Sequence, residues 1–365
     1  MNHSSLKLIG LLLMLVAACG RRAEKEPVPE LSTLIQALSE PGGFFDTDNI
    51  ISNETSYMQV VEQLRPVGGG YVGVGPEQNF TYIGRVRPRW AFIVDVRRQN
   101  MLQHLLLNAV LSRAETPYQY LCWLFSRRPL AGENEPAPTA RLQHVVAAFE
   151  SSQPSAELFE ENLLNIFDHI GRLNVPLSKK DREHIRFVYR SLFDDQLGIR
   201  FRSFGRPPMP YHPDYRALLM AEGPTGLQGG FLGSPEDYRY VRELAVDGRL
   251  VPVVGDFAGG HALRAIGDFL RQRGETVSAF YVSNVEFYIL RAGGFRQYVE
   301  NVRSLPLTEN SLFIRAYFDY GLNHPAAMPG HRSTMVLQRI PRFLSLYDSG
   351  AFRNYWDIST MDYLQ

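Results

Sequence analysis

The feature that most constrains this chain is a repeated unit in which a short apolar run ends at a glycine or polar residue and a helical pattern follows. The unit recurs at 71–74, 90–94, 250–254 and 277–282. Strands that are apolar throughout are buried on both faces, as in parallel sheets whose crossover connections place helices on each side. The sequence therefore predicts an α/β fold with a mostly parallel sheet flanked by helices.

Further segments extend and cover this sheet. Apolar residues recur at helical spacing over 31–38 and 53–64, which predicts two N-terminal helices that pack on the sheet. Residues 312–318 and 334–337 are predicted to be later, less buried strands at the edge of the sheet. For strands at the edge of the sheet, an antiparallel direction is the alternative to a parallel one.

Residues 115–248 contain no comparable strand and show helical spacing over 157–170 and 179–193. Ser178 and Asp181 have the spacing of a capping box at the start of the second of these helices. We predict that this region is a helical insertion, entered near the Pro- and Glu-rich residues 132–139. The insertion would belong to a single domain over 31–365, with two smaller domains as the alternative.

The first residues have the order of a bacterial signal peptide. Lys7 precedes an apolar run over 8–16, and the small residues Ala17 and Ala18 precede Cys19. The run is shorter than the roughly 20 residues that a membrane-spanning helix requires. Val16-Ala17-Ala18-Cys19 resembles the lipobox of bacterial lipoproteins, whose cysteine is acylated after cleavage.

This resemblance implies a signal peptide over 1–18, lipidation of Cys19 and a polar tether over 19–30. The protein would then be exported and anchored to a membrane of the bacterial cell envelope. An ordinary secretory signal with an incidental cysteine is the alternative. With Cys19 lipidated, Cys122 is the remaining thiol, so no intramolecular disulfide is expected.

Composition and motifs exclude several classes of function. Lys plus Arg and Asp plus Glu both number 38, so the chain has no basic excess that would attract nucleic acid. His261, His324 and His331 lack the spacing of metal ligands, and no metal site is predicted. The serine-hydrolase elbow and the phosphate-binding loop have no match, and no residue is assigned as catalytic.

Candidate binding residues are those that close the predicted strands, because doubly wound sheets bind ligands beyond the carboxyl ends of their strands. They are Gly73, Gly75, Asp95, Asp256 and Asn284. Asp95 follows Gly75 by 20 residues, a separation at which an acid can accept hydrogen bonds from ribose hydroxyls. For Asp95 and Asp256, capping of the following helices is the alternative role.

Segments 71–100 and 249–290 resemble the S-adenosylmethionine-dependent methyltransferase superfamily, whose first strand ends in a glycine turn and whose second ends in a ribose-binding acid. The chain looks most similar to uncharacterised bacterial lipoproteins of methyltransferase-like fold, through Gly-Pro-Glu-Gln-Asn at 75–79 and Asp-Val-Arg-Arg-Gln-Asn at 95–100. The resemblance implies a Rossmann-like fold and S-adenosylmethionine as a candidate cofactor.

Residue by residue, the resemblance places Gly73, Gly75 and Asp95 at cofactor-binding positions. Asp256 corresponds to the acid after the third strand, and Asn284 to the polar residue after the fourth. The chain departs from the family at the turn, where Gln78 replaces a third glycine and Glu77 adds a negative charge. The acid that opens the family's first strand is also absent.

Two functions remain as hypotheses. The first is a membrane-anchored lipoprotein that keeps the fold but binds a different small molecule or is non-catalytic. The second is a methyltransferase that acts on a small molecule or an envelope component. Exported proteins do not ordinarily meet S-adenosylmethionine, and the departures at the turn weaken its site, so the first hypothesis is favoured.

Overall fold

The computed structural model describes residues 28–204, 209–319 and 321–364, so the predicted signal peptide and Cys19 lie outside the described residues. The described residues form one seven-stranded sheet. Its strands are β1 (Gly70–Gly73), β2 (Trp90–Asp95), β3 (Leu250–Val254), β4 (Val277–Ser283), β5 (Leu307–Phe318), β6 (Ser333–Arg339) and β7 (Tyr363–Leu364).

The strands lie in the order β3-β2-β1-β4-β5-β6-β7. Strands β1 to β5 are parallel, whereas β6 is antiparallel to β5 and β7 is antiparallel to β6. The chain builds outward from β1 through β2 to β3 and then returns to the other side of β1 with β4. The predicted α/β fold with a mostly parallel sheet flanked by helices is confirmed.

Helices cover the sheet and fill the long connection between β2 and β3. They are α1 (Leu31–Leu38), α2 (Gln78–Val86), α3 (Arg98–Arg113), α4 (Pro117–Leu124), α5 (Leu142–Ser151), α6 (Ala156–Arg172), α7 (Lys179–Asp195), α8 (Tyr215–Leu219), α9 (Pro235–Val246), α10 (Ala262–Gln272), α11 (Val285–Arg291), α12 (Phe295–Arg303), α13 (Ile340–Asp348) and α14 (Tyr355–Thr360). Helices α1 and α3 pack against β3, and α13 packs against β5. None of the helices in the described part has the length and hydrophobicity of a membrane span.

Three predicted elements differ from the structure. The segment 53–64 is not an α-helix but leads into a 3₁₀ helix over Tyr57–Gln63. Gln59 ties this helix to distant backbone, since its amide donates to Ala326 and accepts from the N–H of Met335. Strand β5 is parallel to β4 and buried from Phe313 to Tyr317, and β6 is buried from Ser333 to Gln338, so the prediction of two less buried strands is wrong.

The region from 115 to 248 consists of α4 to α9, short 3₁₀ helices and loops, without a named strand in its described residues. Helix α7 begins with the capping box predicted from Ser178 and Asp181, whose side chains and backbone N–H groups bond reciprocally. Asp181 also binds Arg98 at the start of α3, at 2.9 Å. This ion pair ties the helical region to the layer that packs on the sheet.

A buried ion pair joins β5 to the helices behind it. Arg315 on β5 binds Glu286 on α11, and both side chains are fully buried. Tyr298 on α12 donates to Glu286 at 2.8 Å, and Arg315 donates to the amide oxygen of Gln338 on β6 at 2.6 Å. One polar network therefore holds two strands and two helices in a fixed relation.

Candidate functional site

A cavity of about 300 Å³ opens beyond the carboxyl ends of β1 to β4, where the chain order reverses across β1. Gly75, Asp95, Asp256 and Asn284 all line it, one from each of four strand ends. We call it the strand-end cavity. Its wall also includes residues from the segment before β1, from the end of β4 and from α11, among them Phe45, Asn49, Asn53, Glu54, Ser283 and Tyr288.

Gly73 lies apart from the cavity wall. A side chain at this position would place its first carbon 2.0 Å from Oδ1 of Asn79 and would also meet Tyr71. Those two side chains are hydrogen-bonded, with the Tyr71 hydroxyl donating to Asn79 at 2.9 Å. The glycine therefore makes room for packing beneath the turn, and not for a ligand as the sequence analysis expected.

The turn after β1 is held from its inner side. Gly75 has a φ of +80°, a conformation that glycine adopts without steric cost. Asn79 donates to the carbonyls of Val74 at 2.8 Å and Pro76 at 2.7 Å. These hydrogen bonds explain the asparagine in the 75–79 stretch and fix the turn residues that line the cavity.

His104 on α3 supports the same turn. Its Nε2 lies 2.8 Å from the carbonyl oxygen of Gly75, and its ring is buried. Burial lowers the pKa of His104 to about 4, so the ring is neutral at physiological pH and donates from Nε2. The sequence analysis did not assign this histidine to the site, because nothing in the spacing of α3 sets it apart.

Asp95 is already paired inside the cavity. Its two carboxylate oxygens accept from Nε and Nη2 of Arg97, at 3.0 and 2.8 Å, and one of them also accepts from the backbone N–H of Arg97. Both side chains are buried. Three hydrogen bonds to one residue leave this acid little capacity for a pair of ribose hydroxyls.

The alternative capping role of Asp95 is also wrong, because α3 begins without a side-chain cap. Its N-cap residue is Arg97, whose guanidinium turns back to Asp95 and to the carbonyls of Thr47 and Asp48. The Arg97 side chain is buried and joins β2 to the segment that precedes β1.

Asp256 lies at the exposed mouth of the cavity and accepts from the backbone N–H of Ala258 at 2.8 Å. It does not cap α10. Glu40, distant in sequence, accepts there from the backbone N–H groups of Asp256 and His261. Glu40 thus holds the backbone of the turn after β3, and the Asp256 side chain stays at the mouth of the cavity.

Glu77 points away from the strand-end cavity. It accepts from the hydroxyls of Tyr120, at 2.6 Å, and Tyr215, beside a separate small cavity on the other side of the turn. The comparison with the methyltransferase pattern placed its negative charge at the glycine turn. The charge faces two tyrosines because Glu77 lies in the turn that leads into α2.

Glu54 is the acid that the sequence analysis missed. It lines the strand-end cavity, is 1% exposed and accepts hydrogen bonds from Gln78, Tyr281 and Ser283. No Lys, Arg or His within the described ranges forms an ion pair with it. Burial raises the pKa of Glu54, and the three donors offset that effect in part.

The partners of Glu54 come from two elements, the start of a helix and the end of a strand. Gln78 opens α2, where the family resemblance expected a glycine, and Tyr281 and Ser283 close β4. Ser283 has a φ of +51°, a strained conformation for a residue other than glycine. Such strain persists where surrounding contacts over-determine the backbone, and it clusters at functional sites.

A second cavity of about 260 Å³ adjoins the first and shares six lining residues with it. The shared residues are Phe45, Asn49, Asn53, Ser283, Asn284 and Tyr288. Beyond them its wall is formed by Phe201, Ser203, Met209, Tyr211 and His212 of the helical region, together with Thr47. The helical region therefore borders the approach to the strand-end cavity.

Within the part of the chain that the structure describes, no three His, Cys, Asp or Glu side chains come together as a metal site. The wall of the strand-end cavity supplies carboxyl, amide and hydroxyl groups together with aromatic rings. These groups suit hydrogen bonding and charge pairing with a small organic molecule.

A comparison with curated proteins gives no match. A family model described as "Domain of unknown function (DUF7790)" matches residues 49–190 and 213–357. The matched residues include all five predicted site positions and Glu54, and they cover well over half of the chain. The protein belongs to this family.

Proposed function

We propose that the protein is a membrane-anchored lipoprotein of the bacterial cell envelope that binds a small molecule in the strand-end cavity. The observation that carries this proposal is the convergence of four strand ends on one cavity. Gly75, Asp95, Asp256 and Asn284 come from separate parts of the chain and line the same wall. Ligands of open α/β sheets bind at this position.

The order of the sheet supports a Rossmann-like fold. Strands β1 to β5 have the order 3-2-1-4-5, the arrangement of doubly wound nucleotide-binding sheets. The glycine turn after β1 and the acid that ends β2 agree with the methyltransferase resemblance. Fold alone does not determine function, because activity depends on the site.

The chemistry of the site favours a binding protein over a methyltransferase. Asp95, which the resemblance assigns to ribose binding, accepts three hydrogen bonds from Arg97. Gln78 occupies the third glycine position with a side chain that is committed to Glu54. The strand order and the position of the cavity support the methyltransferase as the second candidate, with S-adenosylmethionine as its cofactor.

Native mass spectrometry of the protein purified from its own envelope tests the proposal. We expect a non-covalent small molecule on the wild-type protein. Ala292→Trp places a large ring at an exposed position that lines the cavity mouth and should remove that molecule. Ala131→Trp is the matched control, because Ala131 is equally exposed and does not line either cavity.

The identity of the bound molecule separates the two functions. A mass equal to that of S-adenosylmethionine, lost in Ala292→Trp, would favour the methyltransferase. A different mass with the same dependence supports the binding protein. Wild-type protein that carries no small molecule, or one that Ala292→Trp retains, would contradict ligand binding at this site.

A further inference from the structure

The strand-end cavity is acidic. Three carboxyl groups line it, those of Glu54, Asp95 and Asp256, and Arg97 is the only cation among its described lining residues. Both oxygens of Asp95 are already bound to Arg97, so this pair contributes no net charge. Glu54 and Asp256 remain without an ion-pair partner in the described chain. A cleft lined by one sign of charge concentrates ligands of the opposite sign.

Glu54 in particular lacks the partner that a buried carboxylate requires. Its side chain is 1% exposed, and its three hydrogen-bond donors are neutral groups. A buried charge is costly unless it is paired. A cation bound in the cavity would supply that partner, because Glu54 lies in the cavity wall.

Aromatic rings form much of the remaining wall. Phe44, Phe45, Phe257 and Tyr288 line the cavity, and Phe45 meets Tyr288 edge to face at 4.8 Å between ring centres. Phe44 is 81% exposed, an unusual position for a phenylalanine that borders a cavity. Ring faces attract ammonium groups, and aromatic side chains around a carboxylate are a recurring way to bind organic cations.

From these observations we infer that the strand-end cavity binds a small organic cation, with Glu54 as its counter-ion, Asp256 at the mouth and aromatic rings around the charge. The inference rests on the proposed function, since it names the ligand class of the same site. It disfavours phosphate ligands, which would meet Glu54 and Asp256 without a free cation to receive them.

Matched pairs of charged and neutral probes test the inference by calorimetric titration of the full chain. The cations are choline, 1,5-diaminopentane and 2-phenylethylamine. Their uncharged counterparts are 3,3-dimethylbutan-1-ol, pentane-1,5-diol and 2-phenylethanol. We expect at least one cation to bind about tenfold more tightly than its counterpart, the equivalent of about 1.4 kcal/mol.

Two variants locate the charge that is responsible. Glu54→Gln keeps the shape of the side chain and should abolish the preference for the cation while leaving the neutral probe unaffected. Asp256→Asn changes an exposed side chain, so folding is unaffected, and it should reduce the preference by a smaller factor. Unfolding curves verify that both variants are folded, and unchanged binding of the neutral probe verifies that the cavity is intact.

Equal binding of both members of every pair would overturn the inference, as would no binding of any cation at about 10 mM, where even weak sites are occupied. A preference that persists in both variants would also overturn it. These results differ from failure of the proposed function. If a neutral or anionic molecule co-purifies with the wild-type protein and is lost in Ala292→Trp, the proposed binding function is supported and the inference of a cationic ligand is contradicted.

Discussion

At the scale of single residues, the strand-end cavity contains two buried acids that are compensated in different ways. Asp95 has an arginine two positions along the chain, and the two form a closed pair. Glu54 has only neutral donors around it. The pair of Asp95 and Arg97 is closed, while Glu54 is the acid to which the proposed cation would bind.

His104 makes stability depend on pH. Its pKa is about 4 in the folded protein because of burial, against about 6.5 when exposed. The unfolded state therefore binds the proton first, and stability falls as pH decreases from about 6.5 to about 4. The largest loss is about 3 kcal/mol, from about 1.4 kcal/mol per pKa unit. His104→Gln should remove this component, so its unfolding free energy should change less with pH.

Urea unfolding at several pH values between 7 and 4, each about one unit apart, measures this effect. His144→Gln is the control, because His144 lies exposed on α5. That variant should follow the wild-type pH dependence. If His104→Gln and the wild type differ by the same free energy at every pH, the burial of a neutral ring is not the cause.

The sequence could identify four of the lining residues and could not identify Glu54. Gly75, Asp95, Asp256 and Asn284 each close a strand, so the strand pattern alone points to them. Glu54 lies within 53–64, where the apolar spacing predicted a helix packed on the sheet, whereas the chain at Glu54 is irregular and precedes the 3₁₀ helix that starts at Tyr57. The pairing of Asp95 with Arg97 was also missed, since it depends on the backbone bend at 95–97 and on the carbonyls of residues 47 and 48.

At the scale of secondary-structure elements, the buried pair of Arg315 and Glu286 fixes β5 against α11. Arg315→Met would leave the Glu286 carboxylate buried without its cation, at a cost of about 3–5 kcal/mol. Adding Glu286→Leu removes the unpaired buried charge, and the double variant should regain much of the lost free energy of unfolding. Chemical unfolding of both variants measures the difference.

An exposed ion pair provides the comparison. Glu160→Gln breaks the contact with Arg186 on the surface of the helical region, where both side chains are about half exposed. Surface pairs of this kind contribute less than about 1 kcal/mol. A cost for Arg315→Met as small as that of Glu160→Gln would show that the buried network does not hold β5.

The elements that were predicted well are those whose pattern is local. Continuous apolar runs identified the parallel strands, and the capping box of Ser178 and Asp181 identified the start of α7. Strand β5 was predicted over 312–318 as a less buried strand at the edge, whereas it begins at Leu307 and is buried from Phe313 to Tyr317. Its burial depends on β6 and α13, which lie later in the chain.

At the scale of the whole molecule, the lipobox resemblance predicts that Cys19 anchors the protein. Cys19→Ala should move the protein from the membrane fraction to the soluble fraction, because several acyl chains together give durable anchoring and the described part has no spanning helix. Fractionation and metabolic labelling with a fatty acid measure this.

Cys122→Ala is the matched control, because the Cys122 thiol is fully buried on α4 and burial raises its pKa to about 11. That variant should stay in the membrane fraction and keep the label. Membrane retention of Cys19→Ala, together with an unlabelled wild-type protein, would contradict the anchor.

The helical region also makes the pairing of β2 with β3 a long-range contact in the sequence. Strands β2 and β3 are neighbours in the sheet, yet residues 96–249 separate them, a connection about ten times longer than that between β1 and β2. Closing the longer connection costs about 2 kcal/mol more chain entropy if both are flexible. Non-local strand pairing of this kind slows folding. Helices α4 to α9 would shorten the effective distance if they form before β2 and β3 pair, and we therefore expect the cavity wall at Asp95 to be completed after these helices.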